Sequence, residues 1–249
     1  MKIIIYGKHS KDWNEALNNI EMLNELDNFF KNDGKILIPL MEKHSIEIIK
    51  LNLEKFAFIP NLGEIIILKN KCSFSNFLKQ NKLDIYSPFN YDKNDDYSYP
   101  VIVKLNDSNY GNGSYICNKK EDFIERDNIV IQKYIQSNYE YTSNIIFKNG
   151  IRHILTYKYT FEKNNYIRNA RTHPTKTEKI KLENKYEEIF LLILEKLKYK
   201  GVCNIDFKIT NKIYIFEINP RFGGSLMLKE NKKDLTDFLK SYINCYLEN

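Results

Sequence analysis

Cysteine is sparse in this chain of 249 residues, and its four copies, Cys72, Cys117, Cys203 and Cys245, lie far apart. No Cys-x-x-Cys pair exists to bind metal or run redox chemistry, so small buried thiols of a reducing compartment are expected. Glycine is also scarce, at nine residues. Only Gly111 and Gly113 fall in the polar stretch after Lys104, too few for a P-loop. No apolar run approaches the length of a membrane span, and Met1-Lys-Ile-Ile-Ile-Tyr6 is too short for a signal peptide. A cytoplasmic protein without a membrane partner is expected. Charge of one sign never accumulates: 38 Lys and Arg are interspersed with 32 Asp and Glu, for a net charge of +6. Without an arginine-rich tract, a zinc-finger spacing or a basic helix, nucleic acid is not an expected partner, whereas a modest positive excess suits a small anionic substrate. Internal repeats and low-complexity tracts are absent as well.

What is present is 43% hydrophobic residues, enough for a packed core. Lys2–Tyr6 reads as a strand. Asp12-Trp-Asn-Glu15 has the form of a capping box, opening a helix along Leu17, Ile20, Leu23, Leu26 and Phe30 that Gly34 closes. Strands are expected at Ile36–Ile38 and Ile65–Leu68, then a helix from Ser73 to Gln80, Pro88 and a polar linker, Asn90–Ser98. Strands Tyr99–Lys104 and Ser114–Cys117, a helix Lys120–Arg126 and a strand Ile129–Gln132 follow. Two longer strands, Tyr139–Phe147 and Ile151–Phe161, flank the hairpin turn Lys148-Asn-Gly150. Glu162–Lys181 reads as polar loop, Lys185–Lys198 as an amphipathic helix, and a last helix starts near Asp234. Alternation of helix and strand makes this an α/β (α+β) chain.

The chemistry is concentrated near the C-terminus. In Tyr214-Ile-Phe-Glu-Ile-Asn-Pro-Arg-Phe-Gly-Gly224, Glu217 and Asn219 are two residues apart on a strand and so share a face. The preceding strand carries Asp206, and the polar turn at Thr210-Asn211 folds the two into a hairpin. Three hard oxygen donors thus converge just before Arg221 and the pair Gly223-Gly224. Such donors suit Mg²⁺ (with Mn²⁺ as an alternative), which is commonly held by one or two carboxylates plus substrate phosphates. Upstream, Lys104 ends an apolar strand beside a loop of small residues containing Ser108, Gly111 and Gly113. A strand-end ammonium and loop N–H groups are suited to phosphate.

These motifs, together with Val130-Ile-Gln-Lys-Tyr-Ile135 and Asn70-Lys71, resemble in order and spacing the ATP-grasp superfamily of nucleotide-dependent carboxylate ligases, over about residues 65 to 225. The resemblance implies an ATP-grasp fold, two α+β lobes clasping ATP, preceded by a short α/β N-terminal domain. Residues 1–88 would form that first domain and 89–249 the ATP-grasp domain, with a small lobe about 93–135 and a large lobe about 136–249. It further implies that Gln132, Lys133 and Ile135 frame adenine and that Glu140 takes the ribose. Gln132 stands where the family usually has glutamate. Lys71 and Lys104 would meet phosphate, and Asp206, Glu217 and Asn219 the metal. Arg221 would stabilise the transferring phosphoryl group, and Arg168, Arg171, Gly223 and Gly224 would contact substrate. The implied reaction joins a small-molecule carboxylate to an amine or thiol through an acylphosphate, releasing ADP and phosphate; a homodimer is compatible with it. A phosphotransferase using the same nucleotide site, or a non-catalytic nucleotide-binding module, is the alternative.

Overall fold

The computed structural model describes residues 2–18, 35–106, 113–124, 126–168 and 172–248. It begins with a parallel pair, β1 (Lys2–Tyr6) and β2 (Lys35–Pro39), with α1 (Lys11–Asn18) after β1 and α2 (Glu42–Lys50) after β2. Helix α1 starts at Lys11, so Asp12 lies in its first turn instead of capping it, and the Ser10 carbonyl accepts from Asn14 N–H. The rest of the expected stripe, Ile20 to Phe30, and its closing Gly34 lie outside the described residues. Sequence reading placed no element over α2.

Ile65–Leu68 is helical rather than extended, within α3 (Leu62–Lys69). Its buried positions are Ile65 and Leu68, three apart on one helical face, while Ile66 stays 55% exposed. A short apolar run does not distinguish strand from buried helix by periodicity alone, and packing decided it. Helix α4 (Lys71–Gln80) follows at once, its N-terminus capped by the Asn70 side chain accepting from Ser73 N–H at 2.8 Å.

A four-stranded antiparallel sheet comes next, in the order β3-β6-β4-β5. It is built from β3 (Asn90–Tyr91), β4 (Val101–Leu105), β5 (Tyr115–Cys117) and β6 (Ile129–Lys133). The expected linker thus contributes a strand at its first two residues. The expected helix Lys120–Arg126 is only a 3-10 turn, Lys120–Asp122. Side chains take the local N–H groups there: Asp122 accepts from Asn118 N–H, and Tyr115 Oη from Ile124 N–H at 2.8 Å.

The largest sheet is antiparallel with five strands, ordered β11-β10-β7-β8-β9. It comprises β7 (Tyr139–Phe147), β8 (Ile151–Thr160), β9 (Lys176–Ile180), β10 (Gly201–Ile209) and β11 (Ile213–Asn219). Strand β9 falls inside the stretch read as loop. Its Lys-Thr-Glu-Lys-Ile sequence lacks an apolar face because it is an edge, where charge is the usual protection. On one face of the sheet lies α5 (Asn184–Lys196), which buries Tyr186, Phe190, Ile193 and Leu194 against Ile205, Phe207 and Ile215. Each such side chain contributes roughly 1.5–3 kcal/mol of burial.

The opposite face is divided along its length. At one end, Ile146, Leu155, Tyr157 and Val202 share a core with Ile3, Ile36 and Ile38 and with Phe238, Leu239 and Tyr242 of α6 (Lys232–Leu247). Tyr242 Oη ties the two regions together, accepting from Phe58 N–H at 3.0 Å and donating to the Leu37 carbonyl at 3.2 Å. At the other end the same face turns polar and opens into a cleft. No helix among the described residues is long and apolar enough to cross a membrane.

Candidate functional site

The cleft, of about 650 Å³, lies between the four- and five-stranded sheets. Strand alternation fills it. Along β10, Cys203, Ile205 and Phe207 face the α5 core, so Asn204, Asp206 and Lys208 must face the cleft. On β7 the same alternation turns Glu140, Thr142 and Asn144 to that side, with Thr142 paired to Asp206 and Asn144 to Asn204. Strand β11 adds Glu217 directly opposite Asp206, and Asn219 opposite Asn204.

Asp206, Glu217 and Asn219 are therefore adjacent. Asn219 Nδ2 donates to Glu217 Oε1 at 3.0 Å, and its Oδ1 accepts from Arg221 Nη2 at 3.4 Å. Asp206 Oδ1 is buried and makes no hydrogen bond. An orphaned carboxylate oxygen beside a second carboxylate and an amide fits a small hard cation. Among the described residues, no group of three or more His, Cys, Asp and Glu side chains is arranged to hold a metal. Two carboxylates and an amide would leave the remaining coordination to a phosphate-bearing ligand and water, which is the habit of Mg²⁺.

Lys104, at the end of β4, reaches across from the small sheet, its Nζ 5.3 Å from the centre of the Phe216 ring. Burial pushes its ammonium down to about 8, against the pull of Glu217 and with the help of Lys71. Lys71, at the first position of α4, lines the same cleft and donates to the Asn106 carbonyl at 3.1 Å. Ser108 and Gly111 lie outside the described residues; Gly113 is described and takes φ +71°, a backbone that side chains disfavour.

At the far end, Gln132 is buried in β6, where its Nε2 donates to Asn90 Oδ1 at 2.9 Å. Its Oε1 is buried and unpartnered. Lys133 is exposed at the cleft edge, with its N–H donating to the Phe89 carbonyl, and Ile135 is buried beside it. The Ile135 carbonyl accepts from Lys208 Nζ at 3.0 Å. Lys208 is 3% exposed, packs on the Tyr166 ring at 4.4 Å and is pushed down to about 8 by burial, with Glu140 opposing. Sequence reading overlooked Lys208 and Asn204, although Asn-x-Asp-x-Lys in an apolar strand carries their period of two.

Arg221 lies 3.4 Å from Glu42 Oε2 through its Nε, and both side chains are nearly buried, at 11% and 12% exposure. No local sequence signal marks Glu42, because its contact arises from the packing of α2. The segment holding Arg221 is fastened by Gly223, whose N–H donates to Asn144 Oδ1 at 2.9 Å. A Cβ at Gly223 would collide with the Asn144 and Asn204 amides, so the close approach requires glycine. Gly224 borders the cleft under Trp13. Arg168 enters the cleft and pairs with Glu140 and Asp206 at 3.0 and 2.7 Å. Arg171 lies outside the described residues.

This arrangement has relatives. A formate-dependent phosphoribosylglycinamide formyltransferase from Prochlorococcus marinus is 23% identical in an alignment 239 residues long that covers 86% of this chain. The chain spans 61% of the length of that curated relative. Among solved structures, D-alanine–D-alanine ligase from Bacillus anthracis matches with a TM-score of 0.64 at 19% identity, covering 99% of this chain and 97% of the other. The same enzyme complexed with ATP matches at 0.63 and 19% identity, covering 99% and 96%. Biotin carboxylase from Campylobacter jejuni matches at 0.59 with 12% identity, covering 87% of this chain and 54% of that one. These likenesses establish a shared fold. The sequence itself matches the ATP-grasp domain over residues 68–225, from the end of α3 to the glycines after Arg221. With the match running through both sheets and the cleft between them, the chain belongs to the ATP-grasp domain family.

Proposed function

We propose that the chain is an ATP-dependent ligase that joins a small-molecule carboxylate to an amine through an acylphosphate. The observation that carries this reading is the convergence, in one cleft, of Lys104 from the small sheet with Asp206, Glu217 and Asn219 from the large one, beside Arg221. Gln132 Oε1 would accept from the adenine amino group, and Glu140 would accept from the ribose hydroxyls. Lys71 and Lys104 would pair with phosphate oxygens. Mg²⁺, held by Asp206, Glu217 and Asn219 and replaceable by Mn²⁺, would supply charge neutralisation for the phosphates.

In the first step a carboxylate oxygen of the acid attacks the γ-phosphorus, and ADP leaves. In the second an amine attacks the acyl carbon, loses a proton and expels phosphate. Phosphoryl transfer depends mainly on position and charge, which a rigid sheet face provides. Arg221 would stabilise charge on the transferring group, and its ion pair with Glu42 would hold the guanidinium in a fixed orientation. In this reading the first domain, residues 1–88, would lend Lys71 to the phosphates and help form the acceptor end of the cleft, while residues 89–249 would hold the rest of the nucleotide. Its location would be the cytoplasm, where ATP is available.

The test uses purified protein with MgATP, hydroxylamine and pooled carboxylic acids, with ADP and hydroxamate as readouts. Formation of both together is the expected result, and subdividing the pool would identify the acid. Nucleotide binding without ADP from any pool would remove the ligase reading.

A further inference from the structure

Glu140 and Asp206 are both almost buried, with side chains 9% and 7% exposed, and they lie on neighbouring strands of one sheet face. Two carboxylates so placed repel one another in a medium of low effective dielectric. Arg168 bridges them: its Nε is 3.0 Å from Glu140 Oε1 and its Nη2 is 2.7 Å from Asp206 Oδ2. The guanidinium carbon also sits 5.1 Å from the centre of the Tyr159 ring. Burial raises the Glu140 carboxyl above its usual range while Arg168 acts to lower it, and the two carboxylates in turn hold Arg168 well above the ordinary arginine value despite its desolvation.

The bridge is incomplete as well as strong. Asp206 Oδ1 remains buried without a hydrogen bond. Arg168 approaches from the open side, retaining 29% of its side-chain exposure, so it can leave without disrupting the sheet. Arg168 occupies Asp206 Oδ2, leaving only Oδ1 open to a metal beside a fixed positive charge, and it covers the Glu140 oxygen that a ribose would need. A planar fork satisfies one oxygen of each carboxylate, whereas a small divalent ion accepts oxygen ligands from several directions.

We infer that Arg168 is a positioning residue that competes with a metal for Asp206, holding Glu140 and Asp206 in place and yielding Asp206 when metal–nucleotide enters. The inference rests on the nucleotide reading of the cleft and adds a regulatory consequence. Arg168 competes with the metal, so it weakens metal–nucleotide binding and makes binding more dependent on the metal being able to displace it. A role in gripping the second substrate predicts the opposite or nothing for the nucleotide.

Calorimetric titration of the full chain with ATP, once with Mn²⁺ and once with EDTA, separates these. Arg168→Gln is expected to bind ATP about fivefold more tightly with Mn²⁺, the loss of a competing pair of about 1 kcal/mol, with a smaller gain in EDTA. Arg168→Lys, which reaches only one carboxylate at a time, should gain less than Arg168→Gln but still bind more tightly than wild type. It carries the test if the glutamine variant does not fold. Unchanged or weaker Mn²⁺–ATP binding in the folded variants, or an equal gain with and without metal, would overturn the inference. If wild type binds no Mn²⁺–ATP, the nucleotide reading itself fails, a different result from a wild type that binds and variants that do not improve.

Discussion

Raising the pH from 7 to 9 should weaken nucleotide binding sharply, and the two cleft lysines set the size of the effect. Burial pushes both Lys104 and Lys208 down to about 8 from the ordinary 10.5. The protonated fraction of each in the empty cleft then falls from about 0.9 at pH 7 to about 0.1 at pH 9. If bound nucleotide keeps a lysine charged throughout, at the phosphates for Lys104 and beside Ile135 for Lys208, each lysine that must regain a proton weakens the apparent affinity about tenfold over that interval. Both together give up to about a hundredfold. Calorimetry with MgATP in a series of buffers measures this directly, and the protons taken up on binding at pH 9 provide an independent count. Lys208→Met should leave only the Lys104 share. In Lys104→Arg, which does not titrate in this range, only the Lys208 share should remain. An affinity that stays flat between pH 7 and 9 in the wild type would refute the reasoning.

The same shifts have a stability consequence of definite sign. A lysine depressed in the folded state costs stability below pH 8, and the cost is relieved as pH rises from 8 to 10.5, because the unfolded chain then holds more protons. Lys208→Met should therefore stabilise the fold at pH 7, on the order of 1–3 kcal/mol in urea unfolding, with the gain shrinking towards pH 10. Arg221→Ala should leave MgATP affinity nearly intact and slow turnover by about 3–4 kcal/mol of barrier; wild-type turnover would remove it from the mechanism. Gly223→Ala should displace the Arg221 segment from Asn144 and Asn204, lowering turnover and costing about 1–3 kcal/mol of stability, read by activity and thermal melting together. Tyr242→Phe, which removes the hydroxyl bonded to Phe58 N–H and to the Leu37 carbonyl, should cost about 1–3 kcal/mol while leaving nucleotide affinity unchanged.

Period and chemistry made parts of this protein readable before any fold was known. The hairpin β10–β11 is predictable because its apolar residues alternate and a polar turn separates them, and that alternation alone puts Glu217 and Asn219 on one face. The long amphipathic stripe of α5 and the Asn-Gly turn between β7 and β8 follow from equally local rules. In the turn, Asn149 and Gly150 take φ of +51° and +127°. Local rules misjudged Ile65–Leu68, where four apolar residues suit either a strand or a buried helix, and β9, whose charged edge has no hydrophobic pattern to read.

The remaining features depend on segments distant in sequence. Glu42 meets Arg221 from the other end of the chain, because the start of α2 lies against the segment that follows β11. Arg168 finds Glu140 and Asp206 because the chain after β8 turns back over the face where β7 and β10 are neighbours. By itself the sequence determined the residue types, their strand faces and the family they belong to, since these rest on short-range periodicity and spacing. Only the tertiary structure decided which charges neutralise which, because electrostatic pairing and burial depend on distances in space that no local pattern encodes.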